Sequence, residues 1–167
     1  VSSDFYHTQI LPFAPIIIKI CRAYTSTESD YEDYYQEVCL QIWRSRENFR
    51  EQAQWSTWVY RIALNVCLTL QRKDKKQGDK TSNLEGLQHY EANRAFSDES
   101  LNQLYEAIKK LDEIDRAIIL LYLEEKSYRE IADIMGTATN NIGARISRIK
   151  NKLKKLLDGT IDRTTVA

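Results

Sequence analysis

Apolar positions along this chain recur at steps of three and four, and no run alternates apolar with polar residues between turn signals. That pattern predicts helices throughout and an all-α protein. Asp4 to Tyr24 is expected to form a helix or helix pair bent at Pro12 and Pro15, since an interior proline removes a backbone donor and presses on the preceding turn. Tyr31 to Arg44 follows as a helix with Tyr34, Tyr35, Val38, Leu40, Ile42 and Trp43 on its apolar side. The polar stretch from Ser45 to Gln54 is expected to be a loop. Helix resumes from Ser56 to about Lys73, with Trp55, Trp58, Val59, Ile62, Val66 and Leu70 as its stripe. Periodicity then lapses between Gln77 and Ser97, where Gly78, Asp79, Ser82, Asn83 and Gly86 gather as in a linker. Leu84, Leu87 and Tyr90 could form one helical turn inside it. Beyond it, Leu101, Leu104, Ile108 and Leu111 define a short helix, and Ile114, Ile118, Leu121 and Tyr122 a second.

The stretch from Ser127 to Leu157 carries two more helices with a tight turn between them. Ser127 and Glu130 have the spacing of a reciprocal capping box at a helix start. Ile131, Ile134 and Met135 form the apolar stripe, Ala132 is small enough for a second helix to cross closely, and Gly136 suits a left-handed exit. The result is a predicted helix-turn-helix. In its second helix Ile142, Ile146, Ile149, Leu153 and Leu156 mark a buried face, while Arg145, Arg148, Lys152 and Lys155 recur on another. A helix with a core face and a cationic face suits the major groove of DNA, where early side chains meet base edges and later ones hold phosphates. A merely solvated surface helix would show the same charge periodicity. The capping box, Ala132 and Gly136 tip the balance toward nucleic acid.

Composition narrows the class without changing it. The 167 residues carry 24 basic and 24 acidic side chains, so no uniformly basic coat exists and local charge must do any steering. Acidic residues cluster at Glu28, Asp30, Glu32, Asp33 and Glu37, and basic ones at Arg72, Lys73, Lys75 and Lys76 and again from Arg145 to Lys155. Cys21, Cys39 and Cys67 are odd in number, far apart and set in apolar sequence, which predicts core thiols rather than disulfides or a metal pair. His7 and His89 stand without ligand neighbours. No metal site, cofactor loop, nucleophile elbow or paired catalytic carboxylates are recognisable, so neither cofactor nor enzymatic activity is expected. The apolar patch from Ile10 to Ile20 is too short and broken to span a bilayer, which predicts a cytoplasmic protein without membrane insertion.

The segments YEDYYQEVCLQIW and WSTWVYRIALNVCLTLQRK, followed after a linker by LDEIDRAIILLYLEEKSYREIADIMG and its recognition helix, resemble regions two and four of extracytoplasmic-function (ECF) sigma factors of the sigma-70 type. The likeness implies two small helical domains, residues 1–76 and 100–160, a linker at 77–99 and a tail at 161–167. It also implies a promoter-specificity subunit of RNA polymerase, and two small domains on a flexible tether with apolar surfaces to cover are expected to be held inactive by an anti-sigma factor. Asp33, Gln36 and Glu37 would then face the coiled coil of the beta-prime subunit, and region four would sit on the beta flap. At the minus-ten element the loop with Phe49 would cradle a flipped base, Arg61 and Asn65 would face the displaced strand, and Arg72 and Lys73 would meet phosphates. At the minus-thirty-five element Asn140, Asn141, Arg145 and Arg148 are the reading candidates, with Lys150, Lys152 and Lys154 on phosphates. Trp55 and Trp58 lie on the apolar stripe, which favours packing over base stacking.

The sequence departs from the family where a basic residue and a serine are usual but Gly143 and Ala144 stand, and where Ala138 replaces a serine cap. Thr137 or Thr139 is expected to supply the missing cap. Gly143 should cost about 1 kcal/mol of helix stability relative to alanine. Two other readings stay open at this point: a dimeric helix-turn-helix repressor whose first half senses a ligand, and a helical adaptor or decoy that uses these surfaces for protein contacts only.

Overall fold

The computed structural model describes residues 1–78 and 99–165, with side chains to residue 159. Every regular element among them is helical. The chain divides into two compact units between Arg94 and Ala95. Most of the expected linker, with Leu84, Leu87, Tyr90 and His89, lies outside the described residues.

The first unit opens on a single turn, α1 (Ser3–Phe5), capped by Ser2, and the chain then widens into a π turn over Tyr6–Ile10 and tightens to a 3-10 turn over Leu11–Phe13. Pro12 explains the change of pitch: it has no N–H, and its ring would press on the carbonyl of Thr8 in a regular helix. The bend expected at Pro12 and Pro15 is therefore a change of helix type leading into α2 (Ala14–Ala23). Gln9, inside the widened turn, uses its carbonyl to accept the indole N–H of Trp55 at 2.9 Å.

Helix α3 (Glu28–Ser45) starts at Thr27, whose side chain accepts from the Asp30 amide, and its acidic first turn suits the helix dipole. Helix α4 (Trp55–Gly78) packs on both α2 and α3. Double packing sets which face it buries. Val59, Tyr60, Ala63, Leu64, Cys67 and Leu68 are inside, with Ala63 and Cys67 small enough for close approach. Ile62, Val66 and Leu70, expected on the buried stripe, instead stand half-buried at its edge. The periodicity located one face correctly at Val59 but could not show that a second helix would cover the opposite flank. Tyr34, buried in α3, donates to the Asp74 carboxylate at 2.7 Å and so ties α3 to the basic end of α4. Burial, then that hydrogen bond, pushes its phenol well above the ordinary range.

All three cysteines are buried and reduced, with the Cys21 and Cys67 sulfurs 3.9 Å apart. Burial pushes the Cys39 thiol up to about 11 and the Cys67 thiol lies well above its usual value, with its contact to Cys21 the largest cause. Both are protonated at neutral pH, and thiolate is the reactive form.

In the second unit α5 (Glu99–Lys109), α6 (Glu113–Leu123) and α7 (Tyr128–Met135) all pack on α8 (Thr139–Thr165). Helix α8 runs on past Leu157, where the apolar repeat ends. Its inner face is Ile142, Ile146, Ile149 and Leu153, each nearly or wholly excluded from solvent. Asp112 caps α6, accepting from the amides of Ile114 and Asp115. The buried Arg116 donates to the carbonyls of Lys109 and Leu111, satisfying the end of α5. The predicted capping box is present at α7: Ser127 Oγ accepts from the Glu130 amide at 3.1 Å, and the Ser127 amide donates to Glu130 Oε2 at 2.8 Å.

The two turns around α7 are built on left-handed residues of opposite character. Gly136 has φ 69° at the end of α7, as expected for its position. At the end of α6 the left-handed residue is Glu125, φ 59°, with its amide on the Tyr122 carbonyl and the Lys126 amide on the Leu121 carbonyl. This Schellman arrangement favours glycine. Glu125→Gly is expected to raise unfolding free energy by about 1 kcal/mol, and Gly136→Ala to lower it by at least as much, in denaturant melts. Thiol titration of the native chain at pH 8 should show no fast-reacting cysteine, and all three only after unfolding.

Candidate nucleic-acid interface

Burying the isoleucine face of α8 fixes which side chains it turns outward. Asn140, Asn141, Arg148, Lys150, Lys152 and Lys154 are all exposed. Lys150 donates to the Tyr122 hydroxyl at 2.6 Å and lies over that ring, and this bond holds its ammonium above the ordinary range. Arg145 has a different setting. It sits on the flank toward α6, where its Nε donates to Asp115 Oδ1 at 2.5 Å and its Nη2 lies 3.9 Å from Asp112 Oδ1. The candidate base reader is thus engaged by two carboxylates that charge periodicity gave no reason to pair with it. The amide of Asp115 first, and the Arg145 guanidinium as well, hold the Asp112 carboxyl below its usual range. A carboxyl held low contributes stability that is present above its unfolded value, about pH 4, and is lost as pH falls through the folded one.

Asn141, Ala144, Arg145 and Arg148 share the rim of a pocket of ≈ 320 Å³ whose apolar lining includes Ile114, Ile118 and Ile142. At Gly143 an added Cβ would lie 3.4 Å from Cε2 of Tyr128. The space left by the missing side chain is therefore bordered by the Tyr128 ring. Ala138 precedes α8 and offers no side-chain acceptor. Among the described residues Thr137 and Thr139 show no hydroxyl bond to the helix start, and the Asn141 amide donates to the Ala138 carbonyl at 3.2 Å.

In the first unit Asp33 and Gln36 stand exposed on α3, with Glu37 half-buried beside them, because Tyr34, Val38 and Ile42 take the inner face. Glu37 and Gln41 line a cavity of ≈ 350 Å³ together with Ile62, Asn65, Val66, Thr69 and Leu70 of α4. The structure thereby brings together Glu37, expected at the polymerase, and Asn65, expected at the displaced strand. Arg61 is half-buried, and Arg72 and Lys73 are exposed near the end of α4.

Phe49 does not stand alone in its loop. Its ring meets Trp55 edge-on at 5.0 Å and Trp58 at 5.5 Å, with the two indoles 4.9 Å apart. Phe5 joins Trp43 at 5.1 Å and Trp55 at 6.1 Å. Trp55 and Trp58 are half-buried in this cluster rather than in the helical core. The loop begins as a 3-10 turn over Arg46–Asn48, and Arg46 covers the Trp43 ring at 3.7 Å. His7 is exposed and bonded to the Ser3 carbonyl, and no group of metal-ligating side chains occurs among the described residues.

Residues 10–77 match the family model Sigma-70 region 2, and residues 101–153 match Sigma-70, region 4. The ECF RNA polymerase sigma factor SigW of Bacillus subtilis is 30% identical over 156 residues, covering 84% of this chain and 82% of that protein. The chain belongs to the ECF sigma factors. A second relative, the ECF RNA polymerase sigma-E factor of Haemophilus influenzae, is 32% identical over 149 residues, 78% of each chain. The fold is shared with the sigma factor RpoE solved with the anti-sigma factor NepR from Bartonella quintana, at TM-score 0.72 and 22% identity over 94% of this chain and 98% of that one. It is shared also with CnrH solved with the cytosolic domain of CnrY, at TM-score 0.70 and 21% identity over 95% and 90% of the two chains.

This sigma factor therefore binds core RNA polymerase and directs promoter recognition and transcription initiation. The match of its first unit to region 2 removes the basis for a self-sufficient dimeric repressor. No described helix is long and apolar enough to cross a membrane. Arg148→Ala and Lys152→Ala should separate in binding assays. The first is expected to weaken selected sites by roughly 1 to 3 kcal/mol and random duplex much less, the second to weaken both about equally.

Proposed function

We propose that this sigma factor reads the minus-thirty-five element with the exposed face of α8, Asn140, Asn141 and Arg148 toward bases and Lys150 and Lys152 toward phosphates. Arg145 completes that set from the flank. The observation that carries the reading is the orientation of α8: its four innermost apolar side chains are buried, so the cations that recur between them are turned to solvent. A cationic helix face of this width fits the major groove and its bordering phosphates. Residues 1–76 act on the minus-ten element and polymerase, 100–160 on duplex, and 77–99 join them.

At the minus-ten element the proposed contacts are Phe49, Arg61, Asn65, Arg72 and Lys73. Phe49 belongs to a cluster of half-buried rings, and aromatic faces stack on unpaired bases whatever their sequence. Asp33, Gln36 and Glu37 dock on the beta-prime coiled coil, where complementary charge speeds encounter and fixes register, and the second unit rests on the beta flap. An anti-sigma factor is the proposed inhibitor, supported by the similar fold of RpoE solved with the anti-sigma factor NepR. The protein works in the cytoplasm as a binding subunit without chemistry of its own.

Run-off transcription tests the whole reading. Core polymerase with this chain should initiate on a subset of a promoter library, and Asp33→Lys with Glu37→Lys should abolish both initiation and core binding. Tight, sequence-selective duplex binding by the chain alone, with no gain from core enzyme, would refute it.

A further inference from the structure

We propose that Asp115, on α6 and outside the helix-turn-helix, is a specificity-determining positioning residue that acts through Arg145. It holds that guanidinium by one edge and keeps it from serving as an indiscriminate phosphate ligand. The inference rests on α8 being the duplex-contacting helix.

The geometry separates Arg145 from every other cation of the α8 face. Its Nε donates to Asp115 at 2.5 Å, and Nη2 on the same edge lies 3.9 Å from Asp112. Arg148, Lys152 and Lys154 have no carboxylate partner within ion-pair distance among the described residues, and Lys150 is held by a neutral phenol. Asp112 is itself fixed by two amide bonds at the start of α6, so the carboxylates are anchored to a helix. Asp115 is the more buried partner, its side chain 18% exposed against 38% for Arg145. An arginine clamped along its side edge can present its remaining amino group, Nη1, in one direction only. Nη1 has no hydrogen-bond partner among the described residues. Rigid planar presentation of this kind suits a base edge better than a mobile phosphate contact.

The charge balance points the same way. Asp115 places a negative charge beside the face that meets the polyanion and cancels the Arg145 charge at long range. Asp115→Asn would remove that charge and release the guanidinium. One added phosphate contact steepens the salt dependence by about 0.9 in log–log slope, or about 4-fold in affinity between 0.5 M and 0.1 M salt.

The test measures binding of the full chain to random-sequence duplex across that salt range, alongside enrichment of a randomised minus-thirty-five pool by holoenzyme. Asp115→Asn should bind random duplex with the steeper slope and enrich the pool less sharply, while Asp115→Glu, which keeps the carboxylate, stays near wild type. In an Arg145→Ala background most of the gain should vanish. An unchanged slope and enrichment, a slope for Asp115→Glu equal to that of Asp115→Asn, or an equal gain with and without Arg145 would each overturn the proposal. If Arg148→Ala and Lys152→Ala also leave duplex binding unaltered, the reading of α8 itself has failed. If they weaken it while Asp115→Asn changes nothing, only the role of Asp115 has.

Discussion

Ile142, Ile146, Ile149 and Leu153 pack α8 against the other three helices of its unit, and the rest of that unit depends on this contact. Each such side chain contributes about 2 kcal/mol by leaving water, a large share of the few kcal/mol by which a small domain stays folded. The same packing sets the roll of the helix. Once the four are inside, Asn140, Arg148 and Lys152 have nowhere to go but solvent, and Arg145 falls on the flank that meets α6. The face proposed to meet DNA is thus a by-product of core burial, and its spacing is set by that core.

The first unit repeats the logic with a different outcome. Tyr34, Val38 and Ile42 turn inward from α3 and leave Asp33 and Gln36 facing out. Helix α4, covered by two neighbours, buries a wider arc than its most apolar stripe, which pushes Ile62, Val66 and Leu70 to the edge. The cavity they line with Glu37 and Asn65 places two expected functions on adjacent helices of one surface. The proposed polymerase and displaced-strand contacts therefore share one scaffold. The Tyr34–Asp74 bond and the Phe5–Trp43–Trp55 ring contacts are what stiffen it at its two ends.

Much of this was settled by the sequence alone. Apolar steps of three and four placed nearly every helix within a few residues, because an amphipathic helix has one way to hide its stripe. Ser127 and Glu130 announced their capping box and Gly136 its left-handed turn, since both are local chemistry between neighbours in the chain. The motifs of regions two and four carried the family. Local signals failed where the responsible partner is distant or the residue atypical. Glu125 occupies a turn that normally advertises itself with glycine or asparagine. Ala138 gives α8 no side-chain cap, and among the described residues neither nearby threonine shows one.

Only the tertiary structure decided what the cations and rings touch. Arg145 and Lys152 are equivalent in a helical repeat, yet one meets Asp115, 30 residues away in sequence, and the other meets water. Phe49 and Trp58, one expected at a base and the other in the core, proved to be neighbours in a single half-buried cluster. Periodicity states which face of a helix is hidden, because burial depends on the helix's own pattern. It cannot state which foreign side chain waits at the border of that face, because that depends on how separate helices cross.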